Sequence, residues 1–194
     1  MQTLYEQGKT RAIGVSNFCQ KCFECLSSYN ETGDIVMPAV NQIQYHVGMG
    51  QDPQDIVSYC KERGVQIQAY SPLGGSGQSE LITGDLVTQI GQAHGVSGVQ
   101  VALRWIWEQG IPLTTKTSSS KHLADDINIF SWSLTADEMS VLNDADSPHG
   151  TPSFIMKCSE NSFIYDLIVG IFELPFQLFD QMENKVIKFF KKMF

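Results

Sequence analysis

The stretch Ala12-Ile13-Gly14-Val15-Ser16-Asn17-Phe18 decides how the rest of the chain is read. Its apolar entry predicts a short buried strand, and Ser16 and Asn17 end that strand in two hydrogen-bonding side chains. Parallel α/β folds place their ligand chemistry at the C-terminal ends of strands. Ser and Asn are also common turn formers, so the pair taken alone is equally a strand end with two caps. The other strands bear on that choice.

Working outward, Leu4 to Gln7 reads as the last turn of a helix stopped by Gly8. A helix is predicted from about Gln20 to Ser28, a turn at Asn30 to Asp34, and a second strand over Ala39 to Gln44. Asp52 followed by Pro53 opens a helix to Arg63, closed by Gly64. A third strand, Val65 to Tyr70, runs into a loop from Ser71 to Gly77. Helices follow from about Asp85 to His94 and from Ser97 to Gln109, the second opened by the capping-box pair Ser97 and Gln100. A fourth short strand, Ile111 to Thr115, leads through Lys116-Thr117 into a helix from about Lys121 to Phe130. Thr135 with Glu138 opens the next helix, to about Ala145. Short apolar strands alternating with helices predict βα units on a parallel sheet. Four strand ends then carry polar pairs on one face: Ser16-Asn17, Asn41-Gln42, Tyr70-Ser71 and Lys116-Thr117. Turn formation alone accounts poorly for all four.

Composition sets the outer limits. A chain of 194 residues, 42% hydrophobic and 18% charged, is globular, with room for one ordinary domain or one and a fragment. Its net charge of −8 argues against a nucleic-acid backbone as main partner and leaves room for a local basic site binding a small anion. Five cysteines, an odd number, do not make a secreted disulfide framework and point to a reducing, cytoplasmic setting. Met1 to Lys9 resembles the end of a helix and carries no basic leader before an apolar run, so no signal peptide is expected. Cys19-x-x-Cys22-x-x-Cys25 lacks the fourth cysteine and following proline of an iron–sulfur run, and these cysteines read as small buried hydrophobes with no metal site.

Together, Gly14-Val15-Ser16-Asn17-Phe18, Asn41-Gln42 with Tyr45-His46, Ala69-Tyr70-Ser71-Pro72-Leu73-Gly74, Ile111-Pro112 and Lys116-Thr117, in this order and spacing, resemble the aldo-keto reductases over roughly residues 1 to 155. That family folds as a TIM (β/α)8 barrel, binds NADPH in an extended pose and reduces aldehydes and ketones. The resemblance implies an α/β fold equivalent to the second half of the barrel over 1–158, holding NADP. A divergent helical tail would occupy 159–194. It also implies that Ser16, Asn17 and Gln42 hydrogen-bond the nicotinamide carboxamide and that Tyr70 stacks on the ring. Leu73 and Ser76 would lie along the pyrophosphate, and Lys116 and Thr117 would contact the 2′-phosphate that separates NADPH from NADH. Amides suit an amide ligand, an aromatic face suits a planar ring, and a phosphate suits a cation near a helix start.

Two departures from the family pattern matter. Near the adenosine end, positions that usually hold an arginine, a Gln or Glu and an Asn are His122, Asp125 and Asp126, which predicts a weaker grip on the cofactor and leaves only a lean toward NADPH over NADH. Lys121 is the compensating cation expected there. No stretch matches the motifs carrying the family's catalytic Asp, Tyr, Lys and His, so no catalytic residue is assigned. The intact family enzyme would reduce a small carbonyl substrate, whereas this chain reads as a cofactor-binding fragment that does not turn over alone. An inactive nucleotide-binding or interaction module is the alternative. With four strands, the open sheet edges invite self-association. In the tail, residues 184–194 place Lys185, Lys188 and Lys192 opposite Val186, Phe189, Phe190 and Met193. That pattern fits a membrane surface, or docking on the barrel or a partner.

Overall fold

Three short segments form a parallel sheet: β1 (Gly14–Ser16), β2 (Val40–Gln44) and β3 (Gln66–Tyr70), in that spatial order. The computed structural model describes residues 1–29, 35–74 and 80–146. The expected turn at Asn30 to Asp34, Ser76 and the 159–194 tail lie outside the described residues. A helix precedes β1 (α1, Gln2–Glu6), and α2 (Gln20–Tyr29) and α3 (Ile56–Glu62) connect the three strands. This is the βαβαβ arrangement expected from the alternation. After β3 come α4 (Glu80–Thr83), α5 (Asp85–His94), α6 (Gly98–Glu108), α7 (Ser120–Ile127) and α8 (Ala136–Asn143). Of these, only the single turn α4 was not read from the sequence.

The register divides the sheet's two faces. Ser16 lies beside Gln42 and Gln42 beside Gln68, while Gln44 lies beside Tyr70. Side chains alternate along a strand, so these residues share one face and Val15, Asn41, Ile43, Ile67 and Ala69 share the other. The second face packs into the main apolar core with Ile56 and Cys60 of α3 and Val101, Trp105 and Ile106 of α6. At the edge strand the chains approach closely: a Cβ on Gly14 would lie 2.9 Å from the Val40 carbonyl oxygen. Glycine is therefore needed at the start of β1.

The expected fourth strand does not extend the ladder. Leu113 makes a single parallel bridge with Ala69. The Ala69 N–H donates to the Pro112 carbonyl at 2.8 Å, and the Thr114 N–H donates to the Ala69 carbonyl at 2.9 Å. Pro112 has no N–H to donate, so pairing is limited to this contact. The start of the α3 segment also differs from expectation. Gln54 and Asp55 have φ of 56° and 57°, which separates a 3-10 turn at Pro53–Asp55 from the helix. Asp52 therefore caps further along: its carboxylate accepts from the N–H groups of Val57 at 2.7 Å and Ser58 at 3.2 Å. Both expected capping boxes form, Ser97 with Gln100 and Thr135 with Glu138.

Trp105 joins three elements. Its fully buried ring stacks on Tyr45, with centroids 5.1 Å apart and planes at 12°, and its Nε1–H donates to Asn143 Oδ1 of α8 at 2.9 Å. Trp105→Ala should lower the unfolding free energy by about 3–5 kcal/mol, read from the urea midpoint, because it opens a cavity and leaves Asn143 Oδ1 with Gln109 Nε2 as its one remaining donor among the described residues.

A second tie joins α5 to α8. His94 Nε2 lies 2.9 and 3.0 Å from the two Glu138 carboxylate oxygens. Partial burial opposes ionisation of Glu138. The Thr135 N–H and hydroxyl and the His94 ring outweigh it and hold the carboxyl below its ordinary value. A depressed carboxylate stabilises the fold above the unfolded-state pKa near 4.5, and that contribution is lost as pH falls through the folded value. Glu138→Gln should therefore narrow the gap between urea midpoints measured at pH 7 and at about pH 3.5.

Candidate functional site

The site begins with a buried asparagine on the core face. Asn41 donates from Nδ2 to the Phe18 carbonyl at 2.9 Å and accepts the Phe18 N–H on Oδ1 at 3.2 Å. A side-chain amide used in this way acts as a short piece of strand and holds the chain just after β1. The Asn17 N–H is held in turn by the Gln42 carbonyl at 2.9 Å. Fixed on both sides, Asn17 takes a left-handed conformation, φ 59°. Asparagine tolerates that region better than most residues, at a cost of about 1 kcal/mol.

The turn leaves Asn17 Oδ1 buried and without a hydrogen-bond partner among the described residues. A buried unpaired amide oxygen is costly and marks a place for a ligand donor. Beside it, Ser16 Oγ–H donates to the Gln42 carbonyl at 2.9 Å. Half-buried Gln42 donates from Nε2 to Gln68 Oε1 at 2.8 Å. Its own Oε1 has no protein donor among the described residues. Ser16, Gln42 and Gln68 thus form one row across the sheet, with Asn17 at its end.

Tyr70 ends β3 on the same face, half-buried, with its carbonyl accepting the Tyr45 N–H at 3.4 Å. Ser71 follows at φ 48°, and its carbonyl accepts the Gly74 N–H at 2.9 Å. A second strand end therefore closes in a left-handed residue and a tight turn. Leu73, in that turn, packs partly against the core, so it also serves the fold. At the other expected end, Lys116 is exposed and Thr117 is half-buried. Thr117 Oγ1 accepts the Ser119 N–H at 3.1 Å, and Ser119 Oγ accepts the His122 N–H at 3.3 Å as the N-cap of α7. Thr117 therefore keeps its own hydroxyl hydrogen for another acceptor. Asp126 on α7 has its carboxyl pushed up by burial, with Asp125 adding to the rise and His122 opposing it.

Tyr45 and His46 belong to the scaffold. The buried Tyr45 hydroxyl donates to the Gln51 carbonyl at 2.9 Å, and burial with the nearby Asp52 charge pushes its acidity far down. His46 is fully buried and lies 2.7 Å through Nδ1 from the Val47 carbonyl and 3.0 Å through Nε2 from Gln44 Nε2. Both contacts are satisfied if Nδ1 carries the proton, and burial pushes the ring pKa down. Among the described residues no cluster of three or more His, Cys, Asp or Glu is placed to hold a metal. No described helix is long and apolar enough to cross a membrane.

Two residues of this constellation escaped the sequence reading. Asn41 was seen as half of a polar strand end, yet it faces the core and braces Phe18. Gln68 gave no signal of its own, because its place beside Gln42 follows from the register between strands.

Residues 1–147 match the family model described as the aldo/keto reductase family. The chain is 34% identical over 143 residues to a D-galacturonate reductase of Fragaria ananassa, covering 72% of this chain and 43% of that protein. It is likewise 34% identical over 139 residues to a glyoxal reductase of Bacillus subtilis, covering 72% and 47%. A solved aldo-keto reductase complexed with NADPH aligns with a TM-score of 0.65 at 28% identity, covering 75% of this chain and 45% of that one. Another, from a Medee basin deep-sea metagenome library, aligns with a TM-score of 0.67 at 29% identity, covering 75% and 51%. The chain spans under half the length of these two curated relatives, and the sheet is part of the barrel fold of the solved ones. The chain belongs to the aldo/keto reductase family.

Proposed function

We propose that this chain is the cofactor-holding part of an NADPH-dependent carbonyl reductase, equivalent to the second half of the barrel. The observation that carries this reading is the buried Asn17 Oδ1, unpaired among the described residues, at the end of a row of amides. Two acceptor oxygens, Asn17 Oδ1 and Gln42 Oε1, match the two N–H groups of a primary carboxamide. Ser16 supports that pair by holding the Gln42 backbone. Tyr70 would lie against the nicotinamide ring. Leu73 and Ser76 would run along the pyrophosphate, and Lys116 with Thr117 would meet the 2′-phosphate. The carboxylates of Asp125 and Asp126 weaken the adenosine end by repelling a bound phosphate, which Lys121 partly offsets. When bound, NADPH supplies hydride to a carbonyl carbon.

Reduction also needs a proton donor beside the carbonyl oxygen. Tyr45 cannot serve, since its hydroxyl is buried and committed to Gln51. We therefore assign the donor to the part of the family barrel that this chain does not match, and the substrate to a small aldehyde or ketone. By itself the chain binds nucleotide without turnover. The inactive nucleotide-binding module remains the second reading, favoured by that committed tyrosine. The domain division at 158/159, a membrane-surface or docking role for 184–194, self-association through the outer edge of β1 and a cytoplasmic setting complete the proposal.

Calorimetric titration of the full chain with NADPH should show binding. Asn17→Gly, which keeps the left-handed turn but removes the amide, should weaken it by about tenfold or more while leaving the urea midpoint within about 1 kcal/mol of wild type. No binding by the wild-type chain would remove the cofactor assignment. An immunoblot of native extract should show a species larger than 21.6 kDa. A native band at that size would favour the inactive module.

A further inference from the structure

A nicotinamide-binding glutamine has an ambiguity built into it. Its amide oxygen and nitrogen are nearly the same size, and a half-turn about the last side-chain torsion exchanges an acceptor for a donor. A primary carboxamide can be recognised by an acceptor through its N–H groups. A carboxylate at the same ring position offers oxygens alone and needs donors. Which of these the site takes depends on what fixes Gln42.

Gln68 is the group that fixes it. The two residues are register neighbours in the parallel ladder, and Gln42 Nε2 donates to Gln68 Oε1 at 2.8 Å. One Nε2–H of Gln42 is thereby engaged inside the sheet, which fixes the orientation of the amide, and its oxygen has no protein donor among the described residues. At the same end of the sheet Asn17 Oδ1 is a second acceptor, buried and unpartnered among the described residues. We propose that Gln68 is a positioning residue that makes this site select a primary carboxamide over a carboxylate on the pyridine ring. The proposal rests on the cofactor reading above and extends it to a residue two positions before Tyr70 that touches no ligand itself.

Because Gln68 is also an amide, the pair can in principle turn over together, with Gln68 donating to Gln42. A carboxylate at position 68 cannot do so, which supplies the conservative variant. Gln68→Glu still accepts from Gln42 and keeps its oxygen toward the ligand. Gln68→Leu removes the acceptor and frees the Gln42 amide to turn.

The test is calorimetric titration of the full chain and both variants with three probes: NADP, its nicotinic acid analogue, and adenosine 2′,5′-bisphosphate. Wild type and Gln68→Glu should prefer NADP over the acid by about tenfold or more, and Gln68→Leu should bring the two within about threefold. Adenosine 2′,5′-bisphosphate should bind all three proteins alike, which shows that the variants are folded and that the change is confined to the nicotinamide end. An unchanged preference in Gln68→Leu, with NADP still bound by wild type, overturns the role of Gln68 and leaves the cofactor reading standing. Absence of NADP and NADPH binding by the wild-type chain overturns both.

Discussion

Everything at the candidate site depends on the grip of Asn41 on the backbone of Phe18. The amide sits on the apolar side of β2, where an unsatisfied polar group would be strongly unfavourable. It is tolerated because both ends are used, one on each polar group of Phe18. That two-point hold ends β1, forces Asn17 into the left-handed region and turns its side chain into a place where Oδ1 is buried without a donor among the described residues. A core residue thus creates the need that a ligand would meet. The same pair of hydrogen bonds ties the residue after Asn17 to β2.

Local rules carried far in this chain where the signal was local. Ser97 with Gln100 and Thr135 with Glu138 announce helix starts through a four-residue pattern, and both boxes form. β1, β2 and β3 were legible from apolar runs stopped by polar residues. The segment Ile111 to Thr115 has a strand's composition, yet Pro112 limits it to one bridge with Ala69. Asp52 was recognised as a cap, but two left-handed residues move its target from the first turn to Val57 and Ser58. Gln68 was invisible because a partner in a parallel ladder is assigned by register, which no single strand contains. Asn41 was misjudged for a similar reason: which face a strand residue occupies is settled by the core.

The sheet's two faces differ in kind. The side turned to the helices carries Val15, Ile43, Ile67 and Ala69, and the opposite side carries Ser16, Gln42, Gln44, Gln66, Gln68 and Tyr70. An amide-rich face in a sheet this small is costly to bury unless its groups bond one another. The Gln42–Gln68 bond and the close approach of Gln44 to His46 meet that requirement. This face carries the row of amides that makes up the candidate site.

Gln100 illustrates how narrow sequence freedom becomes when one side chain serves two helices. Its Oε1 accepts the Ser97 N–H at 3.0 Å to complete the cap of α6, and its Nε2 donates to the Asp125 carbonyl of α7 at 3.0 Å. As a helix start, Glu would serve as well as Gln at this position. Glu has no N–H to offer α7 and would set a carboxylate against a carbonyl oxygen. A substitution that looks silent in an isolated helix is therefore closed to this chain, and the restriction comes from the neighbour.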